Sequence, residues 1–295
     1  MTDTRVTFPS GAVEGRARVL DVVDLGGGRC GVVVDQTPFH PVDHTWPDQP
    51  ADSGTLAGLP VLDCLVGASP AIDEADADPG HRWVVAGDIP ARRGDPALTW
   101  GVVHVLDAEA ADRAGITRGS EVELVVDGDR RRRLSRGHSA CHLAALALNR
   151  AAAPLWSKDV GRRDGLGSPD LDSLAIVVSR IEPDAALDEY RLGKSLRKRG
   201  LATTDLLERL PQLQDEANEL LSAWTAAGGH AVVDTGGDDR LVARRTWRAD
   251  LPGGQVAIPC GGTHVTDIAD VAGTRVVYEP TDGGFRVLTT VPPEV

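Results

Sequence analysis

Two histidines four residues apart, His138 and His142, and a cysteine and a histidine at the same interval, Cys260 and His264, are the residues best suited to chemistry. Positions i and i+4 of a helix project from one face, so both imidazoles of the first pair can meet one cation. Cys260 and His264 flank Gly261, Gly262 and Thr263, a segment free enough to turn both side chains towards a common point. One thiolate and three imidazoles form a donor set suited to tetrahedral zinc. Either pair alone also fits a solvated helix face or an ordinary loop. Their joint occurrence in a chain with 8 His and 4 Cys carries more weight than either spacing. Cys141 competes with His142 for the metal, but its spacing from His138 fits one face less well, and a buried thiol is expected there. A His pair at this interval is also the zinc-protease motif, in which a glutamate after the first histidine is the general base. Here that position is Ser139, so the protease chemistry lacks its base.

The helix carrying His138 and His142 is expected to begin after Gly137, with Leu143, Leu146 and Ala147 at helical spacing among helix-favouring alanines. Residues 255–258 read as the strand that enters the second ligand loop. Residues 275–278 are expected to pair with 285–289 across a turn at 281–284. Residues 174–178 read as a strand and 188–199 as a basic helix ended by Gly200. Thr204 is placed to cap a helix running towards Trp224, with Gly228 and Gly229 as its stop and Pro211 as a point of division. Before Asp129 the pattern is short β-like runs: 18–23 and 31–35 around the Gly26 to Gly28 turn, then 55–56, 61–66, 82–85 and 121–126. The acidic stretch 73–78 reads as an exposed loop. The expected class is α+β, with a β-rich domain over residues 1–129, barrel or sandwich, followed by an α/β domain over residues 130–295.

Composition sets the outer limits. The 295 residues are 41% hydrophobic and 25% charged, ordinary for a globular chain, and 33 Gly with 19 Pro imply many turns. A net charge of −13 argues against an anionic membrane or DNA as partner, and against RNA unless basic residues cluster. Two clusters exist: Lys194, Arg197, Lys198 and Arg199, and Arg130 to Arg133 with Arg136. No stretch approaches the roughly 18 apolar residues of a membrane span, and the polar N-terminus does not read as a secretory signal. Four scattered cysteines show no disulfide framework, so a reducing, cytoplasmic setting is expected.

The segment from Gly137 to Leu143 resembles the His-Thr-Ala-x-His-Leu signature of the alanyl-tRNA synthetase editing domain and its free-standing relatives, the alanyl-tRNA editing proteins. The segment from Pro259 to Val265 is similar to the Cys-Gly-Gly-Thr-His-Val signature of the same family. Residues 36–41 look like its Thr-x-Phe-Tyr-Pro motif, and 48–54 like its Gly-Gly-Gly-Gln-x-x-Asp-x-Gly motif, so the resemblance reaches from about residue 10 to about residue 280. It implies a translation-factor-type β-barrel followed by a two-layer α/β editing domain. It also implies zinc on His138, His142, Cys260 and His264, and hydrolysis of a mischarged aminoacyl-tRNA ester, typically Ser or Gly on alanine tRNA. Related domains of threonyl-tRNA synthetases remove Ser.

Departures are concentrated in two places. Asp43-His44-Thr45-Trp46-Pro47-Asp48 replaces the family's glycines before Gln49, and Thr266 to Asp270 differs from its Thr-Gly-Glu-Ile-Gly. A bulkier loop over an aminoacyl pocket would alter selectivity, which keeps open a threonyl-type substrate, including an analogue such as fluorothreonine. Gln49 is the candidate polar contact near the ester, Thr37 a candidate hydrogen-bond partner for the substrate side chain, and His44 a further candidate from the unusual loop. Gly261 and Gly262 are candidates for presenting backbone N–H groups to an oxyanion. Lys194, Arg197, Lys198 and Arg199 are the candidate tRNA contacts. An aminoacyl ester is labile, so positioning and modest electrophilic help suffice, and zinc can activate water or anchor a substrate group. The competing readings are a closed structural zinc site in a non-catalytic RNA-binding module, and a zinc hydrolase of a small ester.

Overall fold

The computed structural model describes residues 2–70 and 83–293. The expected acidic loop at 73–78, and Arg82 of the expected 82–85 run, lie outside the described residues. The chain divides into two compact units: Met1–Arg131 with Asp234–Arg245, and Arg132–Val233 with Thr246–Val295.

The first unit is built on an eight-stranded sheet in the order Leu59–Val61, Gly54–Leu56, Glu121–Val126, Glu14–Gly26, Arg29–Val34, Leu98–Asp107, Asp63–Pro70 and Val84–Val85. Gly26, Gly27 and Gly28 turn the chain between its two central strands with φ of 74°, 61° and 76°, a left-handed run that side chains resist. Only Leu62 separates a strand at one edge from a strand near the other, and its N–H donates to Val105 O. The sheet therefore curls on itself, while its order stays open among the described residues. Leu98–Asp107 gave no signal in the sequence because eight consecutive residues, Thr99 to Leu106, are buried, which removes the alternation that marks a half-exposed strand. Asp239 and Leu241 join this unit from far along the chain: Val6 N–H donates to Asp239 O, and Leu241 N–H to Thr4 O.

The second unit combines an antiparallel sheet in the order Ile176–Glu182, Ala185–Arg191, Gly284–Thr290, Arg275–Thr281 with a smaller one of Ala231–Asp234, Thr246–Leu251 and Gly254–Pro259. Helices Gly128–Ala152 and Leu210–Ala227 supply much of its apolar core, through Leu143, Leu146 and Leu148 on one and Leu213, Ala217 and Leu221 on the other. The open edge of Arg275–Thr281 is covered rather than exposed. Asn218 Nδ2 donates to Val276 O at 3.0 Å, and Asn218 Oδ1 and Gln214 Oε1 accept from Val276 and Tyr278 N–H at 2.9 and 3.0 Å.

Several local expectations are corrected. The first long helix starts at Gly128, nine residues before Gly137, because Asp127 caps it: its carboxylate accepts from Arg130 N–H at 3.0 Å. The expected basic helix at 188–199 is instead the strand Ala185–Arg191 followed by a short helix, Lys194–Lys198. Ala186, Asp188 and Tyr190 alternate inwards, a period of two that outweighs helix propensity. The run at 174–178 splits between the helix Leu171–Ala175 and the strand Ile176–Glu182. Thr204 does not stand at the cap position, since that helix begins at Thr203 after Ala202, and the chain breaks at Arg209 just before Pro211.

Candidate metal centre

Gly137 decides where His138 can stand. A Cβ there would lie 2.4 Å from Glu182 O and 2.5 Å from Ala185 O, so only glycine lets the Gly128–Ala152 helix approach the 182–185 turn so closely. Beyond it, His138 and His142 occupy one helical face with ring centroids 4.9 Å apart. The loop leaving Gly254–Pro259 brings Cys260 and His264 to the same point, and the four donor atoms all lie within 4.8 Å of one another. Cys260 Sγ is 3.4 Å from His138 Nε2 and 3.3 Å from His264 Nε2.

These spacings suit a metal. Bonds of about 2.0–2.3 Å in a tetrahedron imply donor-to-donor edges of about 3.3–3.6 Å. His142 Nε2 is shielded from solvent and has no hydrogen-bond partner among the described residues. Such an orphan costs on the order of 1–3 kcal/mol unless something takes its lone pair. Burial pushes His142 down to about 4, so its imidazole is neutral at neutral pH and one ring nitrogen carries a lone pair. Together with the chemistry of the donors, the orphaned nitrogen fits a bound cation.

The surroundings hold the donors in orientation. Trp247, fully buried, lies against two of the rings, with centroids 5.0 Å from His142 and 5.4 Å from His264. Ser139 Oγ accepts from Val265 N–H at 3.1 Å and sits 3.2 Å from His264 Nδ1. One turn earlier, Ser135 Oγ donates to Thr263 Oγ1 at 2.9 Å. Gly262 N–H points at Cys260 Sγ, 3.5 Å away, an interaction that favours a thiolate. Gly262, one of the two oxyanion candidates, thus has its N–H turned towards the Cys260 sulfur. Gly261 is exposed, and a Cβ there would meet nothing within 4 Å. Cys141 faces away from the four donors, its Sγ donating to Asp188 Oδ2 at 3.3 Å.

Thr37, His44 and Gln49 belong to the first unit. Thr37 is buried with its hydroxyl engaged: Oγ1 is 2.9 Å from His104 Nε2 and accepts from Phe39 N–H at 3.1 Å. Because His104 Nδ1 must donate to Val32 O at 3.0 Å, its Nε2 accepts the Thr37 proton. Gln49 is also buried, its N–H donating to Asp48 Oδ1 at 2.7 Å. His44 is half-buried, and its Nδ1 is shielded without a partner among the described residues. Its loop is fastened by Asp43, which accepts from Arg93 at 2.6 Å and from the Thr45 hydroxyl at 2.6 Å, while Trp46 stays exposed.

Of the basic clusters, Lys194, Arg197, Lys198 and Arg199 are all exposed on or beside the Lys194–Lys198 helix. The other is largely consumed internally. Arg131 pairs with the buried carboxylate of Asp52, Arg133 donates to Asp184 at 2.5 Å, and Arg136 is buried against Pro292 O. Among the described residues no helix is long and apolar enough to cross a membrane.

Trp247 and the two serines were not singled out from the sequence. Ser135 and Ser139 share the interval of His138 and His142, so their common face was visible, but their partners on the loop were not. Trp247 reaches the histidines only through pairing of Thr246–Leu251 with Gly254–Pro259, and no local pattern announces that.

No protein-family model matches the chain. It is 26% identical over 258 residues to the alanyl-tRNA editing protein AlaX-M of Pyrococcus horikoshii, covering 88% of this chain and 82% of that protein. It is 32% identical over 280 residues to the alanine–tRNA ligase of Halorubrum lacusprofundi, covering 94% of this chain but 24% of the ligase. Against the alanine–tRNA ligase of Rhizorhabdus wittichii the figures are 27% over 188 residues, 63% of this chain and 20% of the ligase. The chain thus spans a quarter or less of the ligases and most of the shorter protein. With four convergent donors in the two signature segments, the chain is similar to an alanyl-tRNA editing protein along most of its length.

Proposed function

We propose that this chain is a zinc-dependent, trans-acting deacylase that hydrolyses the ester of mischarged aminoacyl-tRNA. The observation that carries the reading is the convergence of His138, His142, Cys260 and His264 within 4.8 Å, in segments that resemble the signatures of the editing relatives. Zinc bound there supplies Lewis acidity, which polarises a carbonyl or activates water at neutral pH. The chain's own residues do the rest. The helix fixes two imidazoles in one direction, Gly262 N–H stabilises the Cys260 thiolate, and Trp247 shields two of the imidazoles on one side. The ester bond is labile, so holding it in place accounts for much of the rate.

The resemblance of the signature segments supports Ser or Gly esterified to alanine tRNA as the substrate. The departure of residues 43–48 from the family's glycines keeps open a second possibility, a threonyl-type residue including a fluorinated analogue. Incubating the purified protein with tRNAs charged with Ala, Ser, Gly and Thr tests both, with release of Ser or Gly from alanine tRNA expected. Retention of every ester would sink the deacylase. The four convergent donors also suit a closed structural site in a non-catalytic RNA-binding module. That module would show four protein ligands by X-ray absorption and no turnover.

A further inference from the structure

The Gly128–Ala152 helix grips the second ligand loop by a hydroxyl ladder as well as through its histidines. Ser135 and Ser139 stand one turn apart on this helix, Ser139 directly after His138, and both are buried. Ser135 Oγ donates to Thr263 Oγ1 at 2.9 Å. Ser139 Oγ, fully buried, takes Val265 N–H at 3.1 Å and meets His264 Nδ1 at 3.2 Å. Three consecutive loop residues, Thr263, His264 and Val265, are therefore fixed by two helix hydroxyls.

We infer that Ser139 is a positioning residue that sets which nitrogen His264 offers to the metal, with Ser135 holding the loop in register. The inference rests on the zinc reading above. A hydroxyl oxygen has two lone pairs, so Ser139 can accept Val265 N–H and a proton on His264 Nδ1 together. With Nδ1 protonated and bonded, Nε2 is left as the free donor, and Nε2 is the nitrogen 3.3 Å from Cys260 Sγ. Removing the hydroxyl takes an acceptor from the buried Val265 N–H and from the part-buried His264 Nδ1–H, and with it one restraint on the ring. Outer partners that orient metal-bound histidines typically change metal affinity by about 10–100-fold. Alanine at 139 removes that partner, whereas threonine keeps the hydroxyl.

The test is zinc affinity by competition with a chromophoric chelator, for the full chain and for Ser139→Ala, Ser139→Thr and Ser135→Ala. A loss of about 10–100-fold is expected for Ser139→Ala, near-normal affinity for Ser139→Thr, and a smaller loss for Ser135→Ala. Long-range proton–nitrogen spectra of the zinc-loaded unmutated chain give a readout that needs no variant. His264 should carry its proton on Nδ1 and bind through Nε2, and binding through Nδ1 would overturn the inference whether or not the variants fold. Equal zinc affinity in the unmutated chain and Ser139→Ala would also overturn it. If the unmutated chain retained no zinc, the metal reading itself would fail, an outcome distinct from both.

Discussion

Cys260 is the one donor of the four that becomes an anion, and it is the point where His138 Nε2, His264 Nε2 and Gly262 N–H meet. Cys260→Ala should therefore lose zinc and turnover together, measured as metal content after dialysis and as deacylation rate. Full activity in zinc-free protein would overturn the metal claim. A second residue-scale expectation concerns buried carboxyls away from the donors. Burial raises Asp172 to about 7 against the Tyr190 hydroxyl, which donates to it at 2.8 Å, and Asp170 and Asp188 add repulsion. The ordinary value for such a carboxyl is 3.8, so between about pH 4 and 7 the folded chain holds a proton that the unfolded chain releases. Stability from this group is thus highest below that window and falls as pH rises through it. One pKa unit is worth about 1.4 kcal/mol, so the fall is on the order of a few kcal/mol. Asp172→Asn, which keeps an acceptor for Tyr190, should flatten urea-derived stability between pH 4 and 7; an unchanged slope would show that Asp172 is ionised in the fold. His138 and His142 were legible because an interval of four on a helix puts both on one face, and Cys260 with His264 because a short glycine loop can turn both to one point. Asp172, Ser139 and Trp247 were not, because their environments are made by distant segments.

At the scale of elements, the closest approach governs the centre. Gly137→Ala would place a carbon 2.4 Å from Glu182 O, and backbone on both sides of the contact leaves little room to yield. We expect destabilisation of about 1–3 kcal/mol, as for overpacked cores, with weaker zinc binding as His138 is pushed off position. Denaturant unfolding and chelator competition measure the two effects, and a variant as stable as the parent would show that the helix can shift. The sequence suggested a glycine helix boundary here, since glycine weakens helices. Tertiary closeness overrides that propensity. The same competition explains the run at 188–199, where Lys and Arg suggested a solvated helix while Ala186, Asp188 and Tyr190 were alternating into a core. By contrast, 275–278 with 285–289 was read correctly because turn chemistry and alternation agree: Val276 pairs with Thr289 and Tyr278 with Val287.

For the molecule as a whole, a charge of −13 means that any polyanion must be received locally. Lys194→Ala with Lys198→Ala should weaken tRNA binding and lower the slope of log affinity against log salt by roughly 1.5, as expected for two lost phosphate contacts. Unchanged affinity and slope by filter binding would remove this helix from the RNA face. The division of the chain has its own consequence. Leu241, fully buried in the first unit's core, and Arg245, whose guanidinium lies 5.3 Å over the Phe8 ring, are delivered only after residues 132–233. During synthesis at about 5–20 residues per second, the first unit waits on the order of ten seconds, incomplete, while much of its neighbour emerges. The nascent chain must therefore keep the apolar residues around Phe8 from mispairing until the twelve residues of Asp234–Arg245 arrive, and slowing or pausing translation within 132–233 lengthens that vulnerable interval.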